Sequence, residues 1–545
     1  MKILNLKNKT LILLVVATIF LTYSFKSKFF EVAKQIEIYN TLFKELNMHY
    51  VAEINPAEFT NKAIKNTLKD LDPYTRFYTE QDVETAKIRR AGAYGGIGVA
   101  VHYTKKGIEI SEIYKGFSAD KAGLKVGDII VSIDNQSIEN MERAQLSTFL
   151  KGTPNSRFSI EFQRQGNLVK KMITRDKVVI NPVPFAEMID EETGYIALTR
   201  FSEKASFEVK KAFRKLKEEG MTKLVFDLRS NPGGSLIESI KISNFFLPKG
   251  KKIVSTKAKI KKWSNTYTTK NTPLDLEIPI VVLVNERSAS ASEIVSGSLQ
   301  DYDRAVIMGK RSFGKGLVQR YRKLMYGTQL KLTISKYYTP SGRCIQELDY
   351  ENRDAKTGKI PKFSDSGINA FKTANGRTVY DGGGVSPDVE ISTSKSNEIT
   401  DQLIKSKAIF NFAKRYFYKN PTIKKLPDLN FKNANFNDFT VYLKKTDTTF
   451  VTAKESLFKK AFLASQENNI LREYNKIKEK LAEDKIAEIS KNKDLISVLI
   501  KAEILQIFFY KEGVYRYNLK NDKTISKATI LLKNEDKYSK ILSGN

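Results

Sequence analysis

The run from Val281 to Arg320 constrains this chain more tightly than any other. It opens with Ile280 to Val284, an unbroken β-branched apolar segment of the kind that forms a strand buried on both faces. The small residues Ser288, Ala289, Ser290, Ala291 and Ser292 follow, and the spacing predicts a helix whose apolar positions begin at Ile294. A second apolar run, Ala305 to Met308, leads on to Lys315, which is set between Gly314 and Gly316. A strand that turns sharply into a helix N-terminus pushes a hydroxyl out at the end of a sheet, and flanking alanines leave that hydroxyl accessible.

A serine nucleophile needs a base. The chain has two histidines, His49 and His102, neither in a comparable setting, which leaves lysine. A lysine amine can take the serine proton only where burial disfavours its ammonium form. Lys315, between two glycines after an apolar strand, suits such a position, and serine-lysine dyads are an established variant of the triad logic. Two decoys lie nearby. Ser312 to Lys315 reads S-x-x-K and Lys356-Thr357-Gly358 reads K-T-G, as in penicillin-binding proteins, but glycines surround this lysine and the K-T-G falls in a polar, charged stretch.

Upstream, Lys223 to Arg229 is another apolar strand, and it runs into Ser230-Asn231-Pro232-Gly233-Gly234-Ser235. Acyl transfer places negative charge on the substrate oxygen, and a glycine turn opening a helix offers unhindered N–H donors for it. With Tyr195 to Phe201 as a strand, and a helix that starts at Ser202 or Glu203, points Phe207, Phe213 and Leu216 inward and ends at Gly220, this segment forms a right-handed crossover unit.

Three motifs, S-A-S-A-S-E at Ser288 to Glu293, F-G-K-G-L-V-Q at Phe313 to Gln319 and D-L-R-S-N-P-G-G at Asp227 to Gly234, together resemble the carboxyl-terminal processing, or tail-specific, serine proteases. The resemblance covers residues 30 to 392. It implies an α/β fold with a crotonase-like ββα catalytic core, an inserted PDZ domain, N-terminal helices and a helical C-terminal domain. It also implies roles: Ser290 as nucleophile, Lys315 as base, Gln319 orienting the amine, and amides of Gly233 or Gly234 with that of Ala291 as the oxyanion hole. Tyr338 to Arg343 and Gly383 to Val389 resemble further signatures of the same family. No metal or other cofactor is implied.

Ala91 to Val178 resembles a PDZ domain. Gly95, Gly96, Ile97 and Gly98 precede an alternating strand, and Ser118 to Asp128 matches the domain's helix and following turn. In such a domain the glycine loop offers amides to a peptide's terminal carboxylate while the peptide adds as a strand. The family commonly has L-R-G where this chain has Leu150-Lys151-Gly152, so a lysine stands in place of the bidentate guanidinium.

Lys2, Lys7 and Lys9 precede an uncharged apolar run from Leu11 to Phe25, the layout of an export signal, short for a spanning helix and without a clean A-x-A site. This predicts an exported protein of the cell envelope, on the periplasmic side, with cleavage of the signal and membrane association through it both open. Residues 29–46 carry apolar positions at Val32, Ile36, Tyr39, Phe43 and Leu46, which predicts an amphipathic helix in need of a partner surface. Leu71 to Tyr78 resembles the family's L-D-P element.

The predicted domains are a signal or anchor over 1–28, an N-terminal helical region over 29–90, a PDZ domain over 91–178, a catalytic domain over 179–395 and a helical region over 396–545. Lys251 to Thr272 reads as a surface insertion and Asp349 to Asn375 as a polar loop. The tail, with apolar steps in Leu457 to Phe462 and Ile496 to Phe509, packs, caps or dimerises subunits in this family, which leaves homo-oligomers open.

Against 61 acidic residues the chain sets 92 Lys and Arg, a net charge of +31, yet no compact nucleic-acid motif accompanies it. Nucleic acid is therefore not an expected partner. Protein or peptide substrates with free C-termini are. The single cysteine, Cys344, excludes an intramolecular disulfide and reads as a packed residue. The resulting expectation is an exported serine endopeptidase that recognises protein C-termini. The alternative is a noncatalytic envelope PDZ scaffold.

Overall fold

The computed structural model describes residues 29–141, 145–146, 149–392, 398–429, 431, 434–446, 450–465 and 471–544. The apolar run Leu11 to Phe25 lies outside the described residues. The chain forms two compact units, one from residues up to Tyr78 with Tyr321–Leu332, the other from Thr79–Arg320 with Thr333–Asn545.

In the first unit, the predicted helix runs over 29–49. Its apolar stripe stays exposed, with Phe29, Val32 and Ile36 all more than half accessible, although Phe43 meets the ring of Phe59 on the next helix, Pro56–Lys69. The L-D-P element is a turn: Asp72 accepts from the amides of Tyr74 and Thr75 and from the Thr75 hydroxyl. The turn delivers the strand Arg76–Tyr78 to its antiparallel partners Gln329 to Lys331.

The second unit holds a six-stranded, mostly parallel sheet. Its strands run in the order Phe185–Met188, Thr193–Ala197, Lys223–Asp227, Ile280–Val284, Val306–Gly309 and Val389–Glu390, parallel after the first antiparallel pair. Successive side chains of a strand point to opposite faces. Leu224, Phe226, Val282 and Val284 face one core, with Val209, Phe213 and Leu216 of the helix Ala205–Glu218, Ile242 of Leu236–Ser243, and Ile294 and Leu299 of Ala291–Asp301. Val225, Val281, Leu283 and Val306 face a second core, completed by Ile525, Ala528 and Leu531 of Lys523–Lys533 and by Tyr538. The last two helices of the chain are thus the second outer layer of this sheet.

Two details depart from the sequence reading. The helix starts at Ala205 rather than at Ser202 or Glu203, and Phe207 is 64% exposed. Its buried stripe is Val209, Ala212, Phe213 and Leu216, at three- and four-residue steps, and Phe207 falls off that stripe. Asp349 to Asn375 carries short 3-10 turns at Tyr350–Asn352 and Phe363–Ser366 and the strand Ala370–Lys372.

The PDZ-like region is a six-stranded sheet whose main path runs Val99–Thr104, Gly107–Ile113, Ile129–Ile133, Arg157–Arg164 and Asn167–Thr174. Val99–Thr104 is an edge strand. One of its faces is covered: His102 meets Phe410 edge-on, and beside it Glu109 of the strand Gly107–Ile113 pairs with Lys414 at 2.7 Å. Both partners lie on Ala408–Lys419, the second helix of the C-terminal region.

Among the described residues no helix is long and apolar enough to cross a membrane.

Candidate active site

The serine run sorts its own hydroxyls. Ser288 and Ser292 are buried, and each donates to main chain, Ser288 to the Leu228 carbonyl at 2.8 Å and Ser292 to the Asn231 carbonyl at 2.9 Å. Ser290 between them is partly accessible while Ala289 and Ala291 are buried. It stands at the N-terminus of Ala291–Asp301 with φ 57° and ψ −111°, a conformation an L-residue holds only under constraint.

The constraint is a carboxylate. Glu293, wholly buried, accepts the Ser290 amide at 2.6 Å through Oε2, and the same oxygen accepts the Lys315 amide at 3.0 Å. The two main-chain nitrogens can therefore be no further apart than those two bond lengths end to end. Oε1 accepts from the Ser312 hydroxyl at 2.6 Å and the Gly314 amide at 2.7 Å. Burial pushes the Glu293 carboxyl up and these four donors oppose it. One buried acid thus registers the serine turn against the lysine loop across 25 residues of sequence.

Lys315 is half-buried, and its glycine neighbours are buried. Gly316 donates to Gln346 Oε1 at 2.8 Å, and its carbonyl accepts from Tyr337, whose hydroxyl in turn donates to the Ser290 carbonyl at 3.2 Å. Gln319, on the strand Leu317–Lys323, donates to Thr333 Oγ1 at 3.3 Å.

Gly233 has φ 92°, and a side chain there would have its first carbon 2.6 Å from the Ala289 carbonyl oxygen and 2.9 Å from both Ser290 Cβ and the Ala291 nitrogen. Only glycine lets this turn lie against the serine. The structure thus brings Gly233, Ser290 and Ala291 together. The Gly233 amide donates to Asn231 Oδ1 at 2.9 Å, so the turn keeps that donor for itself. A side chain at Gly234 would collide with the Phe201 carbonyl.

In the PDZ-like region, Gly95 and Gly96 lie in the strand Ala93–Gly96, and Gly95 accepts from Gly152 at 3.2 Å. Ile97 is buried, its carbonyl accepting from Ala119, and Gly98 accepts from Tyr114. A guanidinium does reach this corner. Arg175 lies against Gly152, stacks on Phe158 at 3.9 Å, and donates to the Phe149 carbonyl at 2.8 Å and Ser156 Oγ at 3.0 Å.

Sequence reasoning passed over Glu293, Asn231, Ser312, Tyr337 and Arg175. The S-x-x-E spacing from Ser290 to Glu293 is a helix-start signature that could have flagged the first of these. The decoys fall away, since Ser312 to Lys315 is not helical, Ser312 serves Glu293, and Lys356 to Gly358 is an exposed turn. Burial pushes the Cys344 thiol up, as for a packed residue.

Fold and site define an α/β domain of serine-hydrolase design joined to a PDZ-like sheet. Comparison with known proteins makes this specific: the chain carries a domain of "Peptidase family S41" over residues 192–351, a "PDZ domain" over 85–161 and the "Probable PDZ-protease, C-terminal helical domain" over 399–532. It is 33% identical over 309 residues to a "Probable CtpA-like serine protease" of Staphylococcus aureus (strain MRSA252), covering 56% of this chain and 61% of that protein. A protein of the same name from Staphylococcus haemolyticus (strain JCSC1435) is 29% identical over 338 residues, covering 61% and 66%. The chain thus spans less than two thirds of the length of these relatives. Among solved structures, a photosystem II D1 C-terminal processing protease aligns at 27% identity over 65% of this chain and 86% of that one, with a TM-score of 0.35.

Proposed function

We propose that the protein is an exported serine endopeptidase of the cell envelope that docks the C-terminus of a protein substrate on its PDZ domain and cleaves it with a Ser290/Lys315/Gln319 site. The observation that carries this reading is the single Glu293 oxygen that takes both the Ser290 and the Lys315 amides. It fastens nucleophile turn and base loop to one point, which is what proximity catalysis requires.

The peptide adds to the edge strand Val99–Thr104, with its terminal carboxylate at Gly95 to Gly98. Lys315, as the neutral amine, takes the Ser290 proton as Oγ attacks the scissile carbonyl. The amides of Ala291 and Gly234 receive the oxyanion, since that of Gly233 is held by Asn231, and Ala291 stands at a helix N-terminus whose first N–H groups have no partner within the helix. Lys315 then returns the proton to the leaving amine, and water repeats the sequence on the acyl-enzyme. Gln319 orients the amine. The N-terminal apolar run directs export and serves as signal or anchor.

The test is digestion of an unstructured protein with an apolar C-terminus by the intact chain and by Ser290→Ala, with products read by mass spectrometry. Parent activity reduced about 10³-fold or more in the variant is expected. Equal degradation by the two would return the protein to a PDZ scaffold.

A further inference from the structure

We infer that Asp522, in the C-terminal helical region, is a positioning residue of the catalytic centre, holding through Arg229 the turn that carries Gly233 and Gly234 and braces the chain on both sides of Ser290. The inference rests on the peptidase reading and adds a distant part of the chain to the site.

Arg229 is the last residue before that turn. Its Nε donates to both Asp227 oxygens at 3.0 Å and its Nη2 to Asp227 Oδ2 at 2.6 Å, while Nη1 reaches Asp522 Oδ2 at 2.7 Å. Tyr195 steadies the same Asp227 oxygen at 2.7 Å. The guanidinium is clamped between its own strand end and a carboxylate 293 residues further along the chain. Bidentate and charge-assisted contacts of this kind fix direction as well as distance.

Two residues on, Asn231 is fully buried, with its side chain bonded to the Leu198 carbonyl and the Gly233 amide. Its main-chain carbonyl accepts from the Ala289 amide at 3.0 Å and the Ser292 hydroxyl at 2.9 Å. These two residues bracket Ser290. A displacement of Arg229 therefore reaches the nucleophile through two residues of main chain and two hydrogen bonds.

Asp522 follows the long helix Lys493–Asn521, which breaks at Phe509 and Tyr510 and grips the PDZ domain there. The Tyr510 hydroxyl donates to Asp120 at 2.6 Å, Lys511 pairs with Glu112 at 2.9 Å and Glu512 with Lys115 at 3.1 Å. The segment from Tyr510 to Asp522 thus runs from the peptide-docking domain to the catalytic turn, and the two are held in one arrangement through it.

Asp522→Asn separates this role from fold. Asp522 Oδ1 caps the helix Lys523–Lys533 through Thr524 and Ile525 at 2.7 and 3.1 Å, and asparagine caps as well as aspartate. Its NH₂ group, however, would face the Arg229 donor. In the intact chain acting on a peptide with a free C-terminus, Asp522→Asn is expected to lower kcat about tenfold with KM within about twofold of the parent and a melting temperature that falls much less than in Asp522→Ala. Labelling of Ser290 by a fluorophosphonate should slow in parallel. Asp522→Glu should recover part of the loss, and Asp522→Ala should lower both kcat and melting temperature. A Tyr510→Phe, Asp522→Asn pair is expected to be non-additive.

An active parent whose Asp522→Asn variant matches it in kcat and labelling rate overturns the inference alone, as does a kcat loss that tracks melting temperature across the variants. A parent that neither cleaves nor labels refutes the peptidase reading and this inference with it.

Discussion

Glu293→Gln is the sharpest perturbation of this site because the side chain keeps its shape while one acceptor becomes a donor. If the NH₂ group takes the Oε2 position, the Ser290 and Lys315 amides lose their shared partner. If it takes the Oε1 position, the Gly314 amide and the Ser312 hydroxyl lose theirs, and Ser312 already accepts from Val385 at 2.7 Å. Either way two bonds to a charged acceptor go, each contributing about 1.5–3 kcal/mol. Part of that is offset, because the amide avoids the burial cost that pushes the Glu293 carboxyl up. A net destabilisation of about 2–4 kcal/mol follows.

Catalysis should suffer beyond stability. With the two amides no longer fixed to one oxygen, the serine turn and lysine loop drift by a fraction of an ångström, which lowers kcat roughly a hundredfold. KM should stay near the parent value, because the PDZ edge strand is untouched. Steady-state hydrolysis of a peptide with a free C-terminus, run beside urea unfolding, measures both. Ser312→Ala removes one of the four donors and leaves the buried Val385 amide without its acceptor, so it should cost about 2–4 kcal/mol with kcat within a few-fold. A Glu293→Gln protein that unfolds earlier yet turns over at the parent rate would refute the registration argument.

Gly233→Ala should leave the fold intact by circular dichroism yet cut peptide hydrolysis by about 10²-fold or more, since the new methyl would press on Ala289, Ser290 and Ala291; more than a tenth of parent activity would contradict the placement. Burial, with Glu112 nearby, pushes Glu503 up to about 7. A carboxyl with a raised folded pKa is stabilising when protonated, so stability should fall as pH rises from about 4.5 through about 7, by of order 3 kcal/mol. Glu503→Gln should therefore raise the urea midpoint at pH 8 and leave it nearly unchanged at pH 4.5; equal shifts at the two pH values would rule this out.

What the sequence disclosed was local chemistry. Ile280 to Val284 reads as a strand because it is apolar at every position, and it is one. The serine run gave three candidate hydroxyls, and only the contacts of Ser288 and Ser292 with Leu228 and Asn231 leave Ser290 as the accessible one. Glu293 stood inside the quoted motif, yet its four bonds converge from Ser290, Ser312, Gly314 and Lys315, and no periodicity reports such a convergence. Phe207 went astray because hydrophobicity counted and helical phase did not.

The tail posed the opposite problem. Its sequence shows helices with apolar steps, and nothing local ties it to the serine site. The tail's place follows instead from the sheet, whose strands are apolar on both faces and so need two covering layers. The intervening helices Ala205–Glu218, Leu236–Ser243 and Ala291–Asp301 all supply the same layer. Val225, Val281, Leu283 and Val306 then require a cover from outside the crossover units, and Ile525, Ala528, Leu531 and Tyr538 provide it. Once the tail is forced onto that face, a carboxylate at the head of the helix Lys523–Lys533 comes within reach of Arg229. Coverage of the second face is thus the physical reason that two residues 293 positions apart meet at one turn.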